Sequence, residues 1–269
     1  MGVAQSRREG RRVGAAQSRR EFLALLAGGT AAAACANSIA GVRDSAGGGS
    51  PRLASRPGTP TQTLTPGTYQ ITASNPNDGS LVVPSSYSAS RSMPLLVSFH
   101  GAGQGAVSML SAMSPYAESR GFLLLAIGAR GLTWDVFTYK YSYDITFIDS
   151  ALAWAFARCN VDAARVTVNG FSDGASYALG LGLGNGDLFS RAIAWSPGFL
   201  PGSDTSPVGK ARFFVSHGKQ DTVLPIDSAS RVIVPSLTSS GYDVTYVEFD
   251  GGHQMPAAVV NQAMDWMLA

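Results

Sequence analysis

From residue 67 onward, short apolar runs alternate with helix-length segments, and this alternation constrains the fold more than any other feature of the chain. The strand-like runs fall at 68–72, 95–99, 122–127, 165–168, 192–195, 211–216 and 244–249. Several are continuously apolar, as strands covered on both faces must be. Helix-length segments fall at 145–158, after Asp144 as N-cap, and at 175–182, after a Gly-containing turn. Two more fall at 227–239, where Pro235 kinks or shortens the helix, and at 257–268. Strands that alternate with helices predict a mostly parallel central sheet with helices on both faces, in one domain spanning 67–269. In such sheets ligands bind beyond the carboxyl ends of the strands, so the residues just after each strand are the place to seek chemistry.

Gly170-Phe171-Ser172-Asp173-Gly174 lies between a strand signal and an apolar helix-like run. The pentapeptide alone is weak evidence, but its context is a strand–turn–helix elbow. Such an elbow needs small residues around the serine and lifts its hydroxyl to the top of the sheet. A serine hydroxyl needs an adjacent base to act as a nucleophile at neutral pH. Of three histidines, His253 is the best placed, in a loop between the last strand signal and the last helix. His217, at a strand end, is expected to shape the turn beside it. A base in turn needs a carboxylate to fix its tautomer. Asp221 is favoured because it follows a strand and gives the chain order Ser…Asp…His; Asp227 and Asp250 are its rivals. The expected oxyanion donors are the backbone N–H groups of Asp173 and of Ala102, in His100-Gly101-Ala102-Gly103, with His100 holding that loop.

These motifs, at 95–104, 161–174, 216–225 and 249–256, resemble those of α/β-hydrolases of the serine carboxylesterase type. They are similar to the phospholipase/carboxylesterase group that includes acyl-protein thioesterases, and to secreted polyhydroxybutyrate-depolymerase and feruloyl-esterase-like proteins. The resemblance implies an α/β-hydrolase fold and hydrolysis of esters or thioesters through an acyl-enzyme, without cofactor or metal. The depolymerase-like match is less complete, because Ala175 stands where that group often has a further glycine. No separate substrate-binding domain follows, which argues against efficient attack on an insoluble polymer. An aromatic-rich stretch holds Trp134, Phe137, Tyr139, Tyr141 and Tyr143. Trp134 is the expected substrate contact, and Met109, Met113 and Met255 are expected to fill core more than cleft.

The first 40 residues differ from the rest. They hold six arginines and two glutamates, which leaves 14 basic and 16 acidic residues elsewhere. A near-neutral body with no basic stripe argues against nucleic-acid binding. Two cysteines and three histidines argue against a disulfide scaffold or a multi-His metal centre. Ser18-Arg19-Arg20-Glu21-Phe22-Leu23, followed by a mildly apolar run to Cys35, resembles a twin-arginine export signal, with residues 1–40 as the leader. The run is too weak for a stable membrane span. Cleavage is expected after Ala36 or Ala40, and Cys35 is an alternative lipid-anchor site. A periplasmic or extracellular protein follows from this reading. Residues 41–66, rich in Gly, Ser, Pro and Thr, read as a flexible tether, and Cys159 as a small buried hydrophobe.

Overall fold

A computed structural model describes residues 51–72, 75, 77–138, 143–201 and 206–269. The leader, Cys35, Tyr139 and Tyr141 lie outside these residues, and the side chain of Phe137 does too. Eight strands form one sheet in the order β1-β2-β4-β3-β5-β6-β7-β8. They are β1 (Gly67–Gln70), β2 (Gly79–Val83), β3 (Met93–Phe99), β4 (Leu123–Ile127), β5 (Val161–Phe171), β6 (Arg191–Trp195), β7 (Arg212–Gly218) and β8 (Val244–Phe249). β2 runs antiparallel to both β1 and β4, and every other neighbour pair is parallel. The helices are α1 (Ala106–Arg120), α2 (Tyr143–Phe156), α3 (Asp173–Gly184), α4 (Ser230–Ser239) and α5 (Ala257–Leu268).

Side-chain alternation along the strands divides the core between two faces. Leu95, Val97 and Phe99 of β3 meet Ile148, Leu152, Tyr177 and Leu181 from α2 and α3, with Ile233 and Leu237 from α4. Leu96 of β3 and Leu124 of β4 face the other way, toward Met109 and Met113 of α1 and Val260 and Met264 of α5. The central strands are buried throughout, which is why they read as continuous apolar runs. No helix among the described residues is long and apolar enough to cross a membrane. Cys159 is buried, and burial pushes its thiol up to about 11, in keeping with an inert packing residue.

Two elements, β2 and α1, were not marked by the sequence pattern. α1 carries Pro115 inside it and is rich in serine, yet Ala106, Met109, Met113 and Ala117 form a buried stripe at helical spacing. α4 begins at Ser230, three residues after the expected start, because a short 3₁₀ turn at Ile226–Ser228 precedes it; Pro235 is accommodated within it.

The larger correction concerns 51–66, which is no tether. Leu53 is buried, its N–H donates to Asn185 Oδ1, and Asn185 Nδ2 donates to the carbonyl of Pro51. Asp149 accepts from the N–H groups of Ala54 and Ser55, and Ala157 O accepts from those of Thr61 and Gln62. Arg52 and Arg56 both grip the carboxylate of Asp187. A Gly/Ser/Pro composition reports missing periodicity, and such a segment is still ordered when the body supplies partners for its backbone. The two arginines hold the Asp187 carboxyl well below the ordinary carboxylate range. Because the folded-state pKa is depressed, this anchoring is fully present above about pH 4 and is lost as pH falls through the lowered value. Limited proteolysis at neutral pH is expected to cut Asp187→Asn first within 51–66, and to leave that segment intact in the unaltered protein.

Candidate active site

β5 ends at Phe171 and α3 begins at Asp173, so Ser172 alone makes the turn. Its φ of 57° and ψ of −119° lie in a region that side-chain-bearing residues rarely occupy. The turn is held by Ser172 N–H donating to Trp195 O at 2.9 Å and by Ser172 O accepting from the N–H groups of Ala175 and Ser176. The flanking glycines are steric requirements. A Cβ on Gly170 would lie 2.0 Å from Gly174 O, and one on Gly174 would lie 2.4 Å from Phe99 O and 2.5 Å from His100 O. Gly174→Ala is therefore expected to cost about 1–3 kcal/mol through overpacking and to displace the 100–103 loop. A thermal melt should report a lowered Tm.

Asp221 and His253 come from the loops after β7 and β8, beyond β6 along the sheet. Asp221 follows β7 and is 5% exposed. Its Oδ1 accepts from Val223 N–H at 2.8 Å and Leu224 N–H at 2.9 Å, and its Oδ2 lies 2.6 Å from His253 Nδ1. A carboxylate only accepts, so Nδ1 of His253 carries the proton and Nε2 presents its lone pair. The structure thus brings Asp221 to His253. Its two rivals lie elsewhere: exposed Asp227 pairs with Arg231 and exposed Asp250 with Lys219. The His253 ring also lies against that of Phe171, the residue before Ser172, with centroids 4.7 Å apart. His217 is buried beneath this loop, donating from Nε2 to Leu224 O and accepting at Nδ1 from the Ser230 hydroxyl. Burial lowers its pKa and keeps it neutral, so it shapes the Asp221 turn as expected.

Gly101 runs so close to the Ser172 turn that a Cβ there would touch Ser172 Cβ at 3.3 Å. In this loop Gly103 N–H is spent on Leu132 O and Gln104 N–H on Gly101 O. The N–H groups of Ala102 and Asp173, the two expected oxyanion donors, have no hydrogen-bond partner among the described residues. His100 holds the loop. Its Nε2 accepts from Ala129 N–H at 2.9 Å, so Nδ1 bears the proton and donates to Gly101 O at 2.7 Å. Burial, aided by Arg130, lowers its pKa and keeps the ring neutral.

Trp134 departs from expectation. It is 1% exposed, stacks on Tyr177 with centroids 4.9 Å apart, and donates its indole N–H to His100 O at 2.9 Å. It braces the 100–103 loop from below, and its burial leaves almost none of its surface open to a ligand. Tyr143 is exposed at the start of α2. Asp144 also departs from expectation: it lies within α2, and its carboxylate accepts from Arg130 and Asp135 N–H, closing the loop that carries Trp134.

Three features escaped the sequence reading. The Asp173 side chain is buried, accepts from the Thr133 hydroxyl, and is pushed upward in pKa by burial. The hydroxyl of Ser176 accepts from Gly198 and Phe199 N–H and fixes the loop after β6. A cleft of about 330 Å³ opens beside His253, with Met109, Met255 and Phe171 giving it apolar walls and Gln104 and Gln254 adding carboxamides. Met109 and Met255 therefore face the cleft, while Met113 is wholly core.

No protein-family model matches the sequence, and no curated protein does. Solved structures do. The chain is similar to esterase PE8, with 19% identity, a TM-score of 0.57, and 77% of this chain and 98% of that one covered. It is also similar to S-formylglutathione hydrolase from Staphylococcus aureus, at 14% identity and a TM-score of 0.60, with 76% and 99% covered. A truncated carbohydrate esterase from gut microbiota gives 14% identity and a TM-score of 0.61, with 80% and 98% covered. The chain has the α/β-hydrolase fold. In an α/β-hydrolase the carboxyl ends of the strands carry the ligand site, and that is where Ser172, Asp221 and His253 all lie.

Proposed function

We propose that this α/β-hydrolase is a serine carboxylesterase acting through Ser172, His253 and Asp221. The observation that carries this reading is the 2.6 Å contact from His253 Nδ1 to a buried carboxylate, at the same end of the sheet as the strained serine elbow. Ser172 Oγ attacks the ester carbonyl while His253 Nε2 takes its proton. Asp221 stabilises the imidazolium that forms. The N–H groups of Ala102 and Asp173 receive the charge that develops on the carbonyl oxygen, each worth on the order of 10²–10³ in rate. His253 then protonates the departing alcohol, leaving an acyl-enzyme. Water, deprotonated by the same nitrogen, releases the acid and restores Ser172. Thioesters follow the same path with a thiol as leaving group.

The cleft touches His253 and Phe171, the residue before Ser172, so we assign it to the departing group; its mixture of methionine and glutamine suits small esters with some polar character. A p-nitrophenyl ester series from acetate to palmitate tests the reading: turnover is expected for the short acyl groups and should fall toward palmitate. Silence across the series contradicts it. The carboxamides of Gln104 and Gln254 favour, as a second reading, esters whose alcohol part carries further hydroxyls, such as feruloyl or acetyl esters of carbohydrates. A preference for those over simple alkyl esters would identify it. Residues 1–40 are proposed to direct export, and mass spectrometry of the secreted protein would show cleavage near Ala36 or Ala40, or acylation at Cys35.

A further inference from the structure

At the end of the sheet opposite Ser172, three neighbouring parallel strands each bring an arginine. Arg191 opens β6 and is paired in register with Arg212, which opens β7, while Arg165 stands on β5 two residues before Thr167, the register partner of Arg191. Two of the three are neutralised, Arg212 by Asp243 at 2.6 Å and Arg165 by Asp162 at 2.7 Å. Arg191 has no carboxylate partner among the described residues, and its Nε is buried without a hydrogen-bond acceptor. Trp266 of α5 lies against this group, its ring centroid 5.9 Å from the Arg191 guanidinium carbon and 5.4 Å from that of Arg212. Its indole N–H is likewise buried without an acceptor. The adjacent carboxylate, Asp265, is taken by Arg120. One cation and two N–H donors are thus left unspent in one corner, where a buried donor without an acceptor costs stability.

We propose that Arg191 and Trp266, with Arg212 and Arg165 around them, form a binding site for a phosphate-type oxyanion remote from the catalytic residues. The Nε edge of a guanidinium presents two parallel donors to such a group, and the indole N–H supplies another. Burial and the neighbouring Arg212 and Arg165 lower the Arg191 pKa, as expected where a cation lacks its counter-charge.

The test is titration of the full protein with inorganic phosphate, and separately with glycerol 3-phosphate, at ionic strength held constant with sodium chloride. Tryptophan fluorescence and Tm are read together. Both should change saturably. Arg191→Gln should weaken binding at least about tenfold, and Arg191→Lys, which keeps the charge but loses the planar edge, should also weaken it. Trp266→Phe should remove the fluorescence change. Turnover of p-nitrophenyl acetate should be unchanged in both Arg191 variants, which also establishes that they fold. Tighter binding of the ester than of free phosphate would point to a pendant phosphate on a larger molecule, and equal binding to the free ion. Absence of a saturable response, or equal responses in unaltered and Arg191→Gln protein, would overturn the site.

Discussion

Ser172→Ala is expected to lower ester turnover by about 10⁴–10⁶-fold, the range seen when a serine nucleophile is removed from an otherwise intact site. Stability should hardly move. The serine is 7% exposed and its backbone bonds to Trp195, Ala175 and Ser176 do not involve the hydroxyl. The φ of 57° is imposed by the elbow and stays after substitution. A melting curve within about 2 °C of the unaltered protein, beside an assay near background, is the combination to look for. Loss of activity with a large fall in Tm would instead report damage to the elbow.

Asp221→Asn carries the second large effect, about 10⁴-fold in kcat, and the hydrogen bonds around Asp221 dictate why. Oδ1 already accepts from two backbone N–H groups, those of Val223 and Leu224. A carboxamide must keep its oxygen there, which turns its NH₂ toward His253. The Nδ1 of His253 would then have to accept, moving the ring proton to Nε2 and removing the lone pair that takes the proton from Ser172. His217 Nε2, 3.2 Å from Asp221 Oδ2, would face that NH₂ as well. Activity should therefore collapse with little change in binding. An assay of kcat and KM separately, with proton NMR of the His253 ring, checks both halves of the prediction.

How much of this could be read from the residues depended on how local each cause was. The elbow announces itself because close backbone approach at Gly170 and Gly174 admits no side chain. Asp221 and His253 were found from their places after strands, since the sheet itself carries loop ends to one edge. Among Asp221, Asp227 and Asp250, position after a strand favours Asp221, and burial and distance in the fold then separate the three. Trp134 misled because aromatic density signals a pocket and a buried brace alike; its partners His100 and Tyr177 lie 34 and 43 positions away. The 51–66 segment misled because its anchors, Asp149, Ala157, Asn185 and Asp187, are 94 to 135 residues distant.

Ser172, activated by the Asp221–His253 pair, is the proposed nucleophile. Labelling with a serine-directed fluorophosphonate, followed by peptide mass spectrometry, tests it most directly. One adduct is expected, on the peptide containing Ser172, lost in Ser172→Ala and slowed by orders of magnitude in Asp221→Asn. An unlabelled protein, or an adduct on another serine, would contradict it.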